Sequence, residues 1–224
     1  MSSDRPKAWM SWSSGKDSAF ALHAIRSAGE IDVVGLLTTV NATANRIAMH
    51  AVRRALLEAQ ADALGLPVHV VELPWPCPNE VYEHQMTAAV RSAVTAGVEH
   101  VVFGDLFLPD VRAYREQQLA GTGLSPAFPL WQRRTDVLCR EILDSGMRAI
   151  VTCVDPSQTP PEIAGRWFDA DLLDQLPASV DPCGENGEFH TFVVDGPGFS
   201  YPLAVTVGAI VEREGFVFAD VVPT

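Results

Sequence analysis

A short apolar run, Ala8-Trp9-Met10, leads into S-S-G-K-D-S at positions 13–18, and Phe20, Leu22 and Ile25 then recur at a spacing that buries one helix face. Strand, small-residue loop and helix together make a place for phosphates. Backbone N–H groups can approach an anion closely there, the helix presents its positive end, and Lys16 adds a full charge. A plain capping turn would account for Ser13, Ser14 and Ser18. It leaves Lys16 unexplained in a chain with two lysines. Nucleotide binding is therefore the first expectation. The Walker A loop does not fit, because Met10 stands where it needs its first Gly and Asp17 where it needs Ser or Thr.

The same alternation continues and predicts the fold. Val33 to Val40 reads as a second strand, Ile47 to Leu64 as a helix ending at Gly65, and Pro67 to Leu73 as a strand. Glu80 to Ala96 reads as a helix ending at Gly97, and His100 to Phe103 as a strand ending at Gly104-Asp105. Strands alternating with helices imply a parallel α/β sheet covered on both faces. Its ligands lie beyond the carboxyl ends of the strands, where Ser13–Ser18, Thr38-Thr39 and Gly104-Asp105 emerge. The turn-rich stretch 121–131 predicts a junction between a nucleotide-binding domain over 1–121 and a smaller α+β domain over 122–224. In the latter, Thr135 to Ser145 and Asp169 to Leu176 read as helices. Arg148 to Val154 and Thr191 to Val194 read as strands, and Leu203 to Glu212 with Phe216 to Val222 as a hairpin.

Composition narrows the function. A net charge of −12 argues against broad contact with a nucleic-acid backbone, which needs clustered Lys and Arg. Cys77, Cys139, Cys153 and Cys183 form no C-x-x-C pair, so no zinc or thioredoxin-like motif is written and reduced thiols are expected. The polar start M-S-S-D-R-P-K, with no apolar stretch approaching about 18 residues, predicts a soluble cytoplasmic protein with no membrane partner.

A second dense constellation lies in D-P-C-G-E-N-G-E-F-H-T-F-V-V-D-G-P-G-F, residues 181–199. Glu185, Asn186, Glu188, His190 and Thr191 fall beside two glycines, and carboxylates with an imidazole can relay protons near neutral pH. Strand alternation would put Glu188, His190 and Phe192 on one face. Glu-x-His alone is a weak metal spacing.

The loop at 13–18 resembles the S-G-G-K-D-S signature of the PP-loop ATP pyrophosphatases, with Ser14 in place of the first Gly. The 181–199 stretch is similar to the C-terminal signature of the diphthine–ammonia ligase family, a branch of that superfamily. R-I-A-M-H (46–50), Gln60-Ala61, F-G-D (103–105), Arg112, Y-R-E (114–116) and P-L-W (129–131) extend the likeness over nearly the whole chain. The length and the G-E-N-G-E-F-H-T form resemble bacterial relatives, whose hosts would lack diphthine.

The resemblance implies a PP-loop domain, adenine nucleotide alpha hydrolase-like and Rossmann-like, with a C-terminal substrate domain. It also implies ATP-dependent amidation: a carboxylate attacks the α-phosphorus, pyrophosphate leaves, and ammonia displaces AMP. Ser13, Ser14, Gly15, Lys16, Asp17 and Ser18 would hold the phosphates, with magnesium brought by ATP against Asp17. Thr38, Thr39, His50, Gly104 and Asp105 would line the nucleotide site. Arg112, Glu116, Glu185, Asn186, Glu188 and Thr191 would meet the acceptor. Lys16, Asp17, Glu188 and His190 would carry the chemistry, Glu188 or His190 taking the proton of ammonium. Arg112 and Glu116 read equally well as a surface i, i+4 ion pair. The acceptor is an unidentified carboxylate, the nitrogen source free ammonium, and a homo-oligomer stays open. The alternative is a nucleotide sensor or ATP hydrolase of the same fold; tRNA modification is disfavoured by the acidity.

Overall fold

The structure, a computed structural model, describes residues 5–47 and 52–224. The first half contains β1 (Lys7–Ser11), α1 (Lys16–Ala28), β2 (Asp32–Asn41), β3 (Arg46–Ile47), α2 (Arg54–Leu64), β4 (Val68–Leu73), α3 (Asn79–Thr95), β5 (His100–Val102), α4 (Pro109–Leu119) and β6 (Ser125–Ala127). Strands β4, β2, β1, β5 and β6 lie side by side in that order, all parallel, and β3 pairs antiparallel with the end of β2. The chain works outward from β1 first to one side and then to the other. The topological switch therefore falls between β1 and β5, where such a sheet opens a crevice at its carboxyl edge. The 13–18 loop and the turn at Phe103–Asp105 both leave the sheet there.

The second half builds α5 (Thr135–Asp144), β7 (Arg148–Val154), β8 (Trp167–Phe168), α6 (Ala170–Gln175), β9 (Phe189–Asp195), β10 (Val205–Arg213) and β11 (Phe216–Pro223). Its antiparallel sheet runs β10-β11-β7-β8, with β9 also paired to β7. The β10–β11 hairpin turns on Glu214 and Gly215, φ 53° and 83°, the pair of positive values that a tight hairpin requires.

Side-chain alternation along β1 sorts the interior into two regions. Ala8, Met10 and Trp12 join a large apolar core shared by α1, α2 and the second sheet. Trp9 faces the other way, into a smaller cluster with Leu37, Val101 and Phe103 under α3 and α4. The α3–α4 layer is thinly packed: each helix buries a single residue, Ala93 and Leu119 respectively.

Two expectations need correction. Ile47 belongs to β3 rather than to the start of a helix, because Arg46 and Ile47 pair back onto Asn41 and Val40; α2 begins at Arg54. Beyond residue 121, β6 pairs with β5, so the first sheet extends to Ala127.

Candidate active site

The phosphate-loop geometry follows from its small residues. Gly15 caps α1 with extended backbone, and Ser14 before it adopts φ 68°, a left-handed conformation that costs an L residue roughly 1 kcal/mol and glycine almost nothing. This explains why the S-G-G-K-D-S pattern carries Gly at that position. The Ser14 side chain is fully buried, and its hydroxyl has no hydrogen-bond partner among the described residues. The Ser13 hydroxyl accepts from the Gly15 amide at 3.3 Å and lies 3.1 Å from that of Ser18, which donates to the Gly15 carbonyl at 2.9 Å. Ser14, Gly15, Lys16 and Ser18 are buried, whereas Ser13 and Asp17 stay partly open.

What covers the loop is the other signature. Strand β9 lies against it: the Val193 amide donates to the Ser14 carbonyl at 2.9 Å, and the Lys16 amide donates to Thr191 Oγ1 at 3.1 Å. Gln60, from α2, is buried between them. Its Nε2 donates to the carbonyls of Ser14 (3.2 Å) and Val193 (2.6 Å), and its Oε1 accepts the Trp12 indole N–H at 2.9 Å. The Lys16 ammonium, 1% exposed, binds Asp17 Oδ2 at 2.9 Å and the Cys183 carbonyl, between the rings of Phe168 and Phe189. Burial opposes its charge, but Asp17, Cys183 and Glu185 outweigh that and hold it above the usual lysine range.

Facing this cation is a group of carboxyls. Glu185 accepts the Leu106 amide at 2.9 Å, reaching from the second half of the chain to the loop after β5. Burial first, and the nearby Asp17 charge, push its pKa to about 7, against the pull of the Leu106 amide and Lys16. Asp105 is raised too, chiefly by burial, with Arg115 opposing at 3.6 Å, an ion pair too long for a hydrogen bond. Asp17 Oδ1 is buried and has no hydrogen-bond partner among the described residues. Gly104 contributes by close approach: a Cβ there would stand 2.9 Å from the Asp17 carbonyl carbon. Gly104 thus packs directly against the first turn of α1.

The 181–188 loop is held from within. Glu188, 2% exposed, accepts the Asp181 amide at 2.9 Å, the Asn186 amide at 2.9 Å and the Asn186 side chain at 3.0 Å. With these three donors on its carboxylate, it anchors the loop and does not present an open base. Asp181 does similar work, accepting from Thr135, Cys183 and Glu185. Gly184, φ 69°, passes so close to the Phe189 carbonyl that a Cβ would stand 2.7 Å away. Burial pushes the thiols of Cys139 and Cys183 up and that of Cys153 to about 12, which keeps them from acting as thiolates.

Beside the loop opens a cavity of about 840 Å³. Ser13, Thr38 and Thr39 line it at the carboxyl edge of the sheet, and His190 reaches it from β9. Arg112 and Glu116 do not line it. They pair on the surface of α4 at 2.7 Å, with the Arg112 guanidinium 4.8 Å from the ring centres of Phe128 and Trp131. The neighbouring Arg115 does line it, beside Phe103. Sequence reasoning passed over Arg115 and Gln60 as parts of longer motifs; the signal available was a cation beside the F-G-D turn and a polar residue on a buried helix face. His50 lies outside the described residues. No group of three or more His, Cys, Asp or Glu among the described residues forms a metal site, and no described helix is long and apolar enough to cross a membrane.

The two halves joined at this site are each matched by a family model. Residues 6–125 match the diphthamide synthase N-terminal domain and residues 134–220 its C-terminal domain. Among individual proteins, the chain is 30% identical to the diphthine–ammonia ligase of Rattus norvegicus, over 55% of this chain and 48% of that protein. It is 26% identical to that of Danio rerio, over 93% of this chain and 90% of that protein. With that of Schizosaccharomyces pombe it shares 24% identity over 90% of this chain and 36% of that protein. It thus spans about half the length of the rat relative and about a third of the yeast one. Since the model for the phosphate-loop half alone accounts for more than half of the residues, the chain belongs to the diphthamide synthase family.

Proposed function

We infer that this chain is an ATP-dependent amide ligase that adenylates a carboxylate and transfers the acyl group to ammonia, as the name of its relatives, diphthine–ammonia ligase, indicates. The observation that carries the reading is the direct bonding of the phosphate loop to the D-P-C-G-E-N-G-E-F-H-T strand, through Lys16 to Thr191 and Ser14 to Val193. A loop for ATP and a loop dense in proton-carrying groups form one site.

In the first step a carboxylate oxygen of the acceptor bonds to the α-phosphorus and the bond to the bridging oxygen of pyrophosphate breaks. Lys16 stabilises charge growing on that leaving group by exchanging the Cys183 carbonyl for phosphate oxygen. Magnesium, when bound with the nucleotide, neutralises phosphate charge, and Asp17 would hold it through the oxygen that lacks a hydrogen-bond partner. In the second step nitrogen bonds to the acyl carbon and AMP departs. The proton of ammonium passes to Glu185, whose pKa of about 7 suits a group that must accept and release a proton near neutrality. Free ammonium is the nitrogen source in this reading, and four free cysteines accord with a cytoplasmic setting.

Incubation with ATP, magnesium, ammonium and a panel of carboxylic acids tests this by following pyrophosphate and AMP. Their appearance together, dependent on an acid, is the expected result. ADP with phosphate, or tight ATP binding with no turnover, would replace the ligase by a hydrolase or a nucleotide sensor.

A further inference from the structure

The cavity beside the phosphate loop does not stop at the carboxyl edge of the sheet. It continues beneath α3 and α4 as far as Val94 and Thr122, where those helices end. From Tyr82 to Val94 along α3 the lining spans roughly 18 Å at 1.5 Å per residue. An apolar strip runs along that depth, while Thr87, Arg91, Thr95 and Gln118 add polar groups to the same lining. Met86 and Val90 of α3 face Leu37 and Val101 of the sheet, and Leu119 closes the side. A helix of this amphipathic kind ordinarily buries its apolar row, yet α3 buries Ala93 alone, because the space under it is open. The strip formed by Met86, Val90, Leu37 and Val101 offers no partner to a triphosphate or a ribose. The nucleotide-facing groups, Ser13, Thr38 and Thr39, are confined to one end. At that same end Arg115 brings a guanidinium whose Nε is buried and makes no hydrogen bond among the described residues, its nearest anion being Asp105 at 3.6 Å.

We propose that the α3–α4 cavity is the acceptor pocket and takes a small monocarboxylic acid with an extended apolar body, its carboxylate on Arg115 at the phosphate-loop end and its chain running between Met86, Val90, Leu37 and Val101. This rests on the ligase reading for its chemistry, but the pocket itself is a binding claim that can be tested separately. The orientation follows from the contacts: only the Arg115 end adjoins the phosphate loop, so only a head-first acid could present its oxygen to the α-phosphorus. The cationic anchor selects acids over amines and alcohols of the same length, and the apolar depth selects long chains over acetate.

Octanoate is the probe, titrated calorimetrically into the full chain with acetate, octylamine and octanol as comparisons. Octanoate is expected to bind, acetate and octylamine not to. Val90→Trp fills the channel away from the phosphate loop and should weaken octanoate at least tenfold while ATP binding is kept. Arg115→Leu should bring octanoate down to the affinity of octanol, and Arg115→Lys should restore part of the difference. Octanoate that fails to bind, or binds Val90→Trp as well as the parent chain, overturns the pocket. Pyrophosphate exchange into ATP separates the two claims. Exchange driven by a short polar acid with no octanoate binding overturns the pocket and leaves the ligase standing. Octanoate binding with the predicted variant effects, but no exchange with any acid, supports the pocket and removes the ligase.

Discussion

The backbone amide of Lys16 donates to the hydroxyl of Thr191 at 3.1 Å across a sequence separation of 175 residues. The donor heads helix α1, where unsatisfied amides would otherwise await an anion, and the acceptor sits on β9 of the other sheet. Replacing the hydroxyl by a methyl keeps the shape and leaves a buried N–H unpaired. Thr191→Val should therefore cost about 1–3 kcal/mol in urea unfolding. It should also lower the rate of acid-dependent pyrophosphate release, since the loop loses its brace, and Thr191→Ser should restore both.

Ser14→Gly is expected to stabilise the protein. The native residue holds φ 68° with a fully buried hydroxyl that has no partner among the described residues. Glycine removes the left-handed strain and the desolvated hydroxyl, and returns part of the gain as entropy of the unfolded chain. The net expectation is about 1 kcal/mol more stable, read as a higher urea midpoint at unchanged slope. A loss of stability would mean that the hydroxyl holds a bond that matters.

Glu185 makes stability depend on pH in a definite sense. Its folded pKa of about 7 lies above the ordinary 4.5, so between those values the folded state holds more protons than the unfolded. Below 4.5 the group adds nothing; stability falls as pH rises from there to 7, then stays lower by an amount on the order of 1 kcal/mol after solvent screening. Glu185→Gln should flatten that slope in unfolding measurements at pH 5 and pH 7.5. In turnover, the parent should show a rise near pH 7 that the variant lacks. A variant with the same limb would place the titrating group elsewhere.

How far the sequence carried these conclusions can be judged at particular residues. The strand–loop–helix around Lys16 was legible because both faces of the parallel sheet are covered, which leaves an unbroken apolar run before the loop. The Asp181–Phe199 stretch was legible from the density of its functional groups. What those groups do was less so. Glu188 looked like an open base, but its acceptor positions are filled by amides two and seven residues away, a local network that residue types alone do not specify. Strand alternation along β9 is interrupted by register shifts against β7, which period-two reading cannot foresee. The covering of Lys16 by Cys183, Phe168 and Phe189 depends on how two sheets pack, as does the role of Gln60 between Trp12, Ser14 and Val193. On α4, the choice between Arg112 and Arg115 turns on the helix's rotation over the sheet. Its weakly patterned sequence, with Leu119 alone buried, left that rotation unspecified.

Asp220 ties the two sheets together at a second place, away from the phosphate loop. Arg53 meets it with Nε at 3.0 Å and Nη2 at 2.5 Å, and Arg46 Nη1 joins at 2.9 Å, so one carboxylate of β11 holds both β3 and the residue capping α2. The Arg53 hydrogen bonds first, then those of Arg46, lower its pKa to about 2 against the opposing effect of burial. A carboxyl depressed below its ordinary 3.8 contributes stability that is fully present above that value and is lost as pH falls towards 2. Because Asp220 is about a fifth exposed and its partner Arg53 more open still, solvent screens the pair and its contribution is about 1 kcal/mol, less than the shift alone would give. Asp220→Asn should therefore lower stability by that amount at pH 7 and by clearly less at pH 2, where half of the folded-state carboxyl is protonated, so the parent and variant unfolding curves converge on acidification. The effect should weaken in 1 M salt, where the Debye length falls to about 3 Å, but not vanish, since the bidentate geometry to Arg53 keeps its hydrogen bonds. A difference that persists unchanged at pH 2 would show that the aspartate acts by packing rather than by charge.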